Sequence, residues 1–276
     1  MYLDFYKLKE NPFNVTSDPG FLFLSHTHRE ALDHLIYGIE NRKGFIEITG
    51  EIGAGKTTLC RALMNRFDGS TRTSLILNPA LPEKQLLEAI IEDFGITPLR
   101  SGKAALIKSL NSFLLEQLSA GNNAVLIIDE AQNLKHSTLE AIRMLSNLET
   151  EKEKLLQIIL VGQPDLETKL RSPKLAQLRQ RVAVRSHVRA LDRDEVDGYI
   201  EHRISVAGPE SELFFSPEAI SSIFEFSGGI PRLINIVCDK ALLVGYVREA
   251  FQINGDILDE SIEELEGKYK KVAAVS

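Results

Sequence analysis

Gly50-Glu51-Ile52-Gly53-Ala54-Gly55-Lys56-Thr57 is the stretch that decides the fold. It fits G-x-x-x-x-G-K-[ST], with an apolar run at 45–49 before it and a helix-forming stretch, from Thr58 and Leu59 onward, after it. That context of strand, turn and helix is what the motif requires. Glycines let main-chain N–H groups turn inward around a phosphate, and the following helix adds its positive end. At these positions Lys56 reaches the β- and γ-phosphates and the Thr57 hydroxyl is a Mg²⁺ ligand. A mere tight turn would not need the lysine.

Working outward, Val125-Leu126-Ile127-Ile128-Asp129-Glu130 is an apolar run ending in two carboxylates. Asp129 suits the acid that holds Mg²⁺ directly or through water. Glu130 stands one residue further on, where it can polarise a water in line with the γ-phosphate. A strand meeting a helix cap would also end this way, but ~75 residues after a Gly-rich phosphate turn the pair reads as the second half of one site. Ile158-Ile159-Leu160-Val161-Gly162-Gln163 is a third such run, ending in an amide. Gln163 is placed to orient the attacking water or sense the γ-phosphate, or else to bond loop backbone, and the carboxyl ends of parallel strands favour the first.

The wider pattern agrees with these three runs. Apolar segments at 45–49, 74–78, 124–129, 156–162 and 182–188 alternate with helical stripes. Among the stripes are Ala31, Leu32, Leu35, Ile36 and Ile39, then Leu106, Leu110, Phe113 and Leu114, then Leu139, Ile142 and Leu145. Near-continuous apolar strands between half-buried helices predict a five-stranded parallel sheet covered on both faces, an α/β three-layer fold. Leu86, Leu87, Ile90, Ile91 and Phe94 predict one helix beyond the minimal connection. After about 189 the strands stop, and helices are expected over 192–206, 217–227, 231–249 and 256–268, with Ser216 capping the second. The expected domains are 1–188, with an aromatic, turn-rich opening at 1–27, and an all-α domain at 189–276.

Composition narrows the function classes. A net charge of −7 argues against bulk electrostatic coating of nucleic acid, though not against a local basic stripe. Cys60 and Cys238 are far apart within apolar helical patterns, so buried thiols are expected rather than a disulfide or metal set. The start, Met1-Tyr2-Leu3-Asp4-Phe5, has neither a basic n-region nor an apolar h-region, and no run approaches a spanning helix. The expectation is a cytoplasmic chain, peripheral to the inner membrane only through a partner.

Further residues carry a resemblance. Leu178-Arg179-Gln180-Arg181-Val182 precedes the fifth strand, and Gly228-Gly229-Ile230-Pro231-Arg232 opens a late helix. The head contains Asn11-Pro12-Phe13, Asp18-Pro19, Phe21-Leu22-Phe23-Leu24-Ser25 and His28-Arg29-Glu30-Ala31-Leu32, and further on come Asp129-Glu130-Ala131-Gln132 and Val161-Gly162-Gln163-Pro164. Together these resemble the AAA+ ATPases of the general secretion protein A (ExeA-type) group, kin to pilus-biogenesis ATPases.

The resemblance implies an ATP-hydrolysing, Mg²⁺-dependent protein with an AAA+ P-loop domain and a helical lid. It implies that residues 50–58, Gly50 through Thr58, cradle the nucleotide, and that Asn11, Pro12 and Phe13 border the adenine; Phe13 reads equally well as a hydrophobic plug. Arg232 would be the lid arginine that reaches the γ-phosphate, and Arg181, or else Arg179, the arginine finger given to a neighbouring copy. The implied partners are a homo-oligomer assembled with ATP and an envelope secretion or pilus assembly protein. Two alternatives stand beside this reading: a DNA-engaged regulator resembling transposition ATPases, and a scaffold whose slow hydrolysis times partner exchange. The helix near 86–94 resembles an insertion that some relatives bring to DNA, but Glu83, Glu88, Glu92 and Asp93 against the single Lys84 weaken that contact.

Overall fold

The computed structural model describes residues 1–98, 102–151, 153–208 and 210–267. In chain order its elements are α1 (Tyr2–Phe5), α2 (His26–Glu40), β1 (Phe45–Gly50), α3 (Lys56–Arg66), β2 (Thr71–Ile76), α4 (Glu83–Asp93) and α5 (Lys103–Ser119). Then come β3 (Asn123–Ile128), α6 (His136–Leu145), β4 (Gln157–Gly162), α7 (Pro164–Leu170), α8 (Ala176–Arg181) and β5 (Val182–Val188). The last are α9 (Arg193–Ala207), β6 (Phe214–Phe215), α10 (Pro217–Ser227), α11 (Pro231–Val247), β7 (Gln252–Ile253) and α12 (Gly255–Leu265). Two compact units result. One comprises Met1–Ser25, Gly53–Gly55 and Ala190–Ser276, and the other His26–Ile52 and Lys56–Arg189.

The second unit is built on a parallel sheet of order β2-β3-β4-β1-β5. Every residue of β1 and β4 is buried, as strands covered on both faces must be. One face packs Phe45, Leu126, Ile128, Ile158 and Leu160 against α4, α5 and α6. The other carries Ile46 and Ile48 beneath α2, which comes so near that a Cβ on Gly38 would lie 2.5 Å from Ile46 Cδ1. Helix, sheet and helix therefore form three layers, the α/β architecture read from the sequence, and α4 is the added helix.

The bounds of one strand of this sheet are corrected. The second strand runs over Thr71–Ile76, not 74–78: at the sheet edge Thr71, Arg72 and Thr73 pair with Asn123, Ala124 and Val125 while keeping their side chains partly in water. An edge strand need not be apolar throughout, so its polar half gave no signal. The run 45–49 also hides a charge. Glu47 is 2% exposed in mid-strand, and its Oε2 accepts from Arg185 Nε of the register-matched β5 at 2.9 Å. Burial lifts the Glu47 pKa, which the Arg185 hydrogen bond opposes.

The other unit is mainly helical. Its core gathers Leu191, Val196, Ile200, Ile223, Val237, Leu242 and Leu258 around the opening segment's Tyr6, Leu8, Phe13 and Phe21. Residues 1–25 thus belong with the C-terminal helices rather than with the sheet, because their aromatics complete that core. Strands do not stop at 189: β6 and β7 pair in parallel, a ladder too short to show as a periodic pattern. Ser216 caps α10 by accepting from Ala219 N. Of the last expected helix, 256–268, Lys268 lies outside the described residues, as does the rest of 268–276. Cys60 and Cys238 are buried free thiols.

Candidate functional site

The carboxyl ends of β1, β4 and β3 are neighbours in the sheet, and each of the three chemical runs ends there. After β1 the chain turns through Gly50–Gly55. A side chain at Gly50 would place its Cβ 2.4 Å from the Val188 carbonyl, so β5 leaves room for glycine alone. Gly53 and Gly55 hold φ of 81° and 92°, left-handed backbone that a β-carbon resists. The turn feeds directly into α3, whose first residues are Lys56 and Thr57.

Lys56 is buried, and its Nζ donates to the Gly50 and Glu51 carbonyls, both at 2.8 Å. Burial lowers its pKa, and the nearby Glu130 and Asp129 carboxylates pull it back up. Thr57 Oγ1 donates to Asp129 Oδ2 at 2.5 Å, and the Glu130 N–H donates to Asp129 Oδ1 at 2.9 Å. Burial raises the Asp129 pKa, while those two hydrogen bonds act against it. A buried ammonium held only by main-chain carbonyls suits a phosphate, and a hydroxyl beside a carboxylate suits a hard divalent cation.

Glu130 has φ 51° and ψ 36°, left-handed and uncommon for a residue with a long side chain. Its Oε2 accepts from Gln132 Nε2 at 2.5 Å and from Gln163 Nε2 at 3.3 Å. Gln132 Oε1 accepts from the Gln163 N–H at 3.1 Å. Lys169 Nζ on α7 donates to the carbonyls of Gln132 and Leu134, the latter at 2.9 Å. The structure thus joins Glu130 and Gln163, both read from the sequence, directly and through Gln132, and Lys169 holds the Gln132 carbonyl. Gln132 falls within a motif quoted from the sequence, but neither it nor Lys169 carries a role there, since their partners come from separate strands and turns.

The remaining residues are placed as follows. Phe13 is 1% exposed, its ring edge-on to Phe215 in the helical core. Asn11 Oδ1 accepts from Phe13 N, and Asn11 Nδ2 donates to Asp239. Arg203 closes this segment by donating to the Pro12 and Asn14 carbonyls. Arg232 is exposed at the start of α11, and its main-chain N donates to Gly53 O at 3.3 Å within the same unit. Arg181 ends α8, with Nη1 donating to Ser146 Oγ at 2.7 Å and Asn147 Oδ1 at 2.6 Å. Arg179 is exposed.

Residues 39–170 match the family described as AAA domain. The chain is 43% identical over 259 residues to general secretion pathway protein A of Aeromonas hydrophila, covering 93% of this chain and 47% of that protein. It thus spans about half the length of that relative. Among solved structures it resembles the Aeropyrum pernix ORC2 protein, with a TM-score of 0.67 at 15% identity over 88% of this chain and 68% of that one. CDC6P from Pyrobaculum aerophilum matches with a TM-score of 0.67 at 17% identity over the same shares. These two likenesses are of fold. No helix among the described residues is long and apolar enough to cross a membrane. The sheet order, the AAA match over residues 39–170 and these two likenesses agree on an α/β P-loop fold of the AAA type.

Proposed function

We propose that this chain binds ATP with Mg²⁺ and hydrolyses it, acting as an oligomeric switch on a partner in envelope secretion or pilus assembly. The observation that carries the enzymatic part is the meeting of Lys56, Thr57, Asp129, Glu130 and Gln163 at adjoining strand ends. The cellular part rests on the similarity to general secretion pathway protein A.

In this reading residues 50–58 hold the phosphates with main-chain N–H groups, and Lys56 exchanges its two carbonyl acceptors for phosphate oxygens. Thr57 and Asp129 hold the cation. Bound Mg²⁺ would supply charge neutralisation on the β- and γ-phosphates. Glu130 takes the proton of the attacking water as general base, and Gln163 orients that water or the terminal phosphate. Asn11 and Pro12 border the adenine through main chain, since the Phe13 ring is committed to the core. Arg232, from a helical lid at 189–276, reaches the γ-phosphate, and Arg181 acts on a neighbour's nucleotide. The protein works in the cytoplasm, meeting the inner membrane through its partner. The net charge of −7 and the acidic residues of α4 speak against DNA as that partner.

The test is phosphate release and thermal stabilisation with Mg-ATP for wild type and Lys56→Ala. Wild type should be stabilised and active, and the variant neither, because it lacks the ammonium that the phosphate turn aims at the β- and γ-phosphates. Equal stabilisation of both would refute the site. Turnover raised steeply by DNA at low salt, and not by a secretion partner, would refute the cellular role.

A further inference from the structure

The loop after β3 is held more firmly than a catalytic carboxylate alone requires. Two side-chain amides meet on one oxygen of Glu130, at 2.5 Å from Gln132 and 3.3 Å from Gln163. The orientation of the Gln132 amide is fixed by its other end: Oε1 accepts a main-chain N–H from Gln163, which leaves Nε2 to face Glu130. Gly162 makes this approach possible, because a Cβ there would stand 2.7 Å from Gln132 Oε1 and 2.9 Å from Leu166 Cδ2. Lys169 ties the Gln132 carbonyl to α7. The left-handed Glu130 backbone is therefore fixed from β4, from α7 and from its own turn.

We propose that Gln132 is the positioning residue of the Glu130 carboxylate. This rests on Glu130 being the general base. The two bonds are unequal: at 3.3 Å the Gln163 amide is weakly held, whereas the 2.5 Å bond from Gln132 anchors Oε2 and leaves Oε1 to the attacking water.

Gln132→Ala should lower kcat roughly 10- to 100-fold, short of or at the low end of what loss of a general base costs, with ATP affinity within about twofold of wild type. Gln132→Glu keeps the size of the side chain but replaces the donor by a like charge. It should lower kcat at least as much. Steady-state kinetics, ATP affinity and melting temperature are measured for both, beside Glu130→Gln. Wild-type kcat in both Gln132 variants, with Glu130→Gln inactive, would overturn this proposal alone. Activity in Glu130→Gln would overturn the base assignment beneath it. Affinity and melting temperature falling together with kcat would make Gln132 a structural support and overturn the proposal as well.

Discussion

Thr57 and Asp129 are joined by one hydrogen bond across 72 residues of sequence, Thr57 Oγ1 donating to Asp129 Oδ2 at 2.5 Å. It links the start of α3 to the end of β3, the two elements that would share a bound cation. Thr57→Val removes the hydroxyl and leaves a buried carboxylate short of a donor, a loss of about 1–3 kcal/mol. Thermal unfolding without ligand should show that loss. The added stabilisation from Mg-ATP over ATP with chelator should shrink as well. An undiminished Mg²⁺ increment would remove Thr57 from the cation site.

Asp129 provides a pH prediction. Burial raises its folded pKa above the unfolded value, so the folded state binds more protons in the window just above pH 4, and stability falls as pH rises through it. Ligand-free Asp129→Asn lacks that ionisation. It should melt higher than wild type at neutral pH, by about 2–4 °C per kcal/mol recovered, and the difference should close toward pH 4. A difference that stays constant with pH would assign the effect to packing instead.

Arg232 contacts Gly53 through its main chain, so a side-chain truncation should spare that bond. Arg232→Ala is expected to lose hydrolysis more than ADP affinity, because ADP lacks the phosphate that the guanidinium would meet. Side-by-side titrations with ADP and a non-hydrolysable triphosphate check this. Equal losses would place Arg232 on the base or in the fold.

Arg181 is bonded within its own chain to Ser146 and Asn147 at the end of α6, while Arg179 is exposed. If Arg181 is the finger, it exchanges those neutral acceptors for a neighbour's phosphate. Arg181→Ala should then bind ATP and lose on the order of 10³-fold or more in rate, with Arg179→Ala near wild type. Mixing Arg181→Ala with Lys56→Ala at assembling concentrations should restore part of the activity, since each retains the half the other lacks. No recovery, or an inactive Arg179→Ala, would transfer the role or abolish it.

The phosphate turn, the strand carrying Asp129 and the strand ending at Gln163 were legible in the sequence because each is a contiguous piece of chain. Glycines, a lysine and apolar runs act over a few residues, and strands buried on both faces leave an unbroken apolar record. The alternation of strands and helices follows from the same record, whereas the sheet order β2-β3-β4-β1-β5 does not. What only the tertiary structure decided involves residues whose partners are distant in sequence. Glu47 is written inside an apolar run, and only the register with β5 brings it Arg185. Phe13 could border a ligand or fill a core, and its ring lies buried and edge-on to Phe215 of β6 within the helical unit's core. The polar half of β2 is a strand because β3 offers it hydrogen bonds. Gln132 is one of many amides in the sequence, and its bond to Glu130 exists because β4 delivers Gly162, with no side chain, and the Gln163 N–H beside it. Local chemistry is read along the chain, whereas the direction of a side chain is fixed by whatever the fold packs against it.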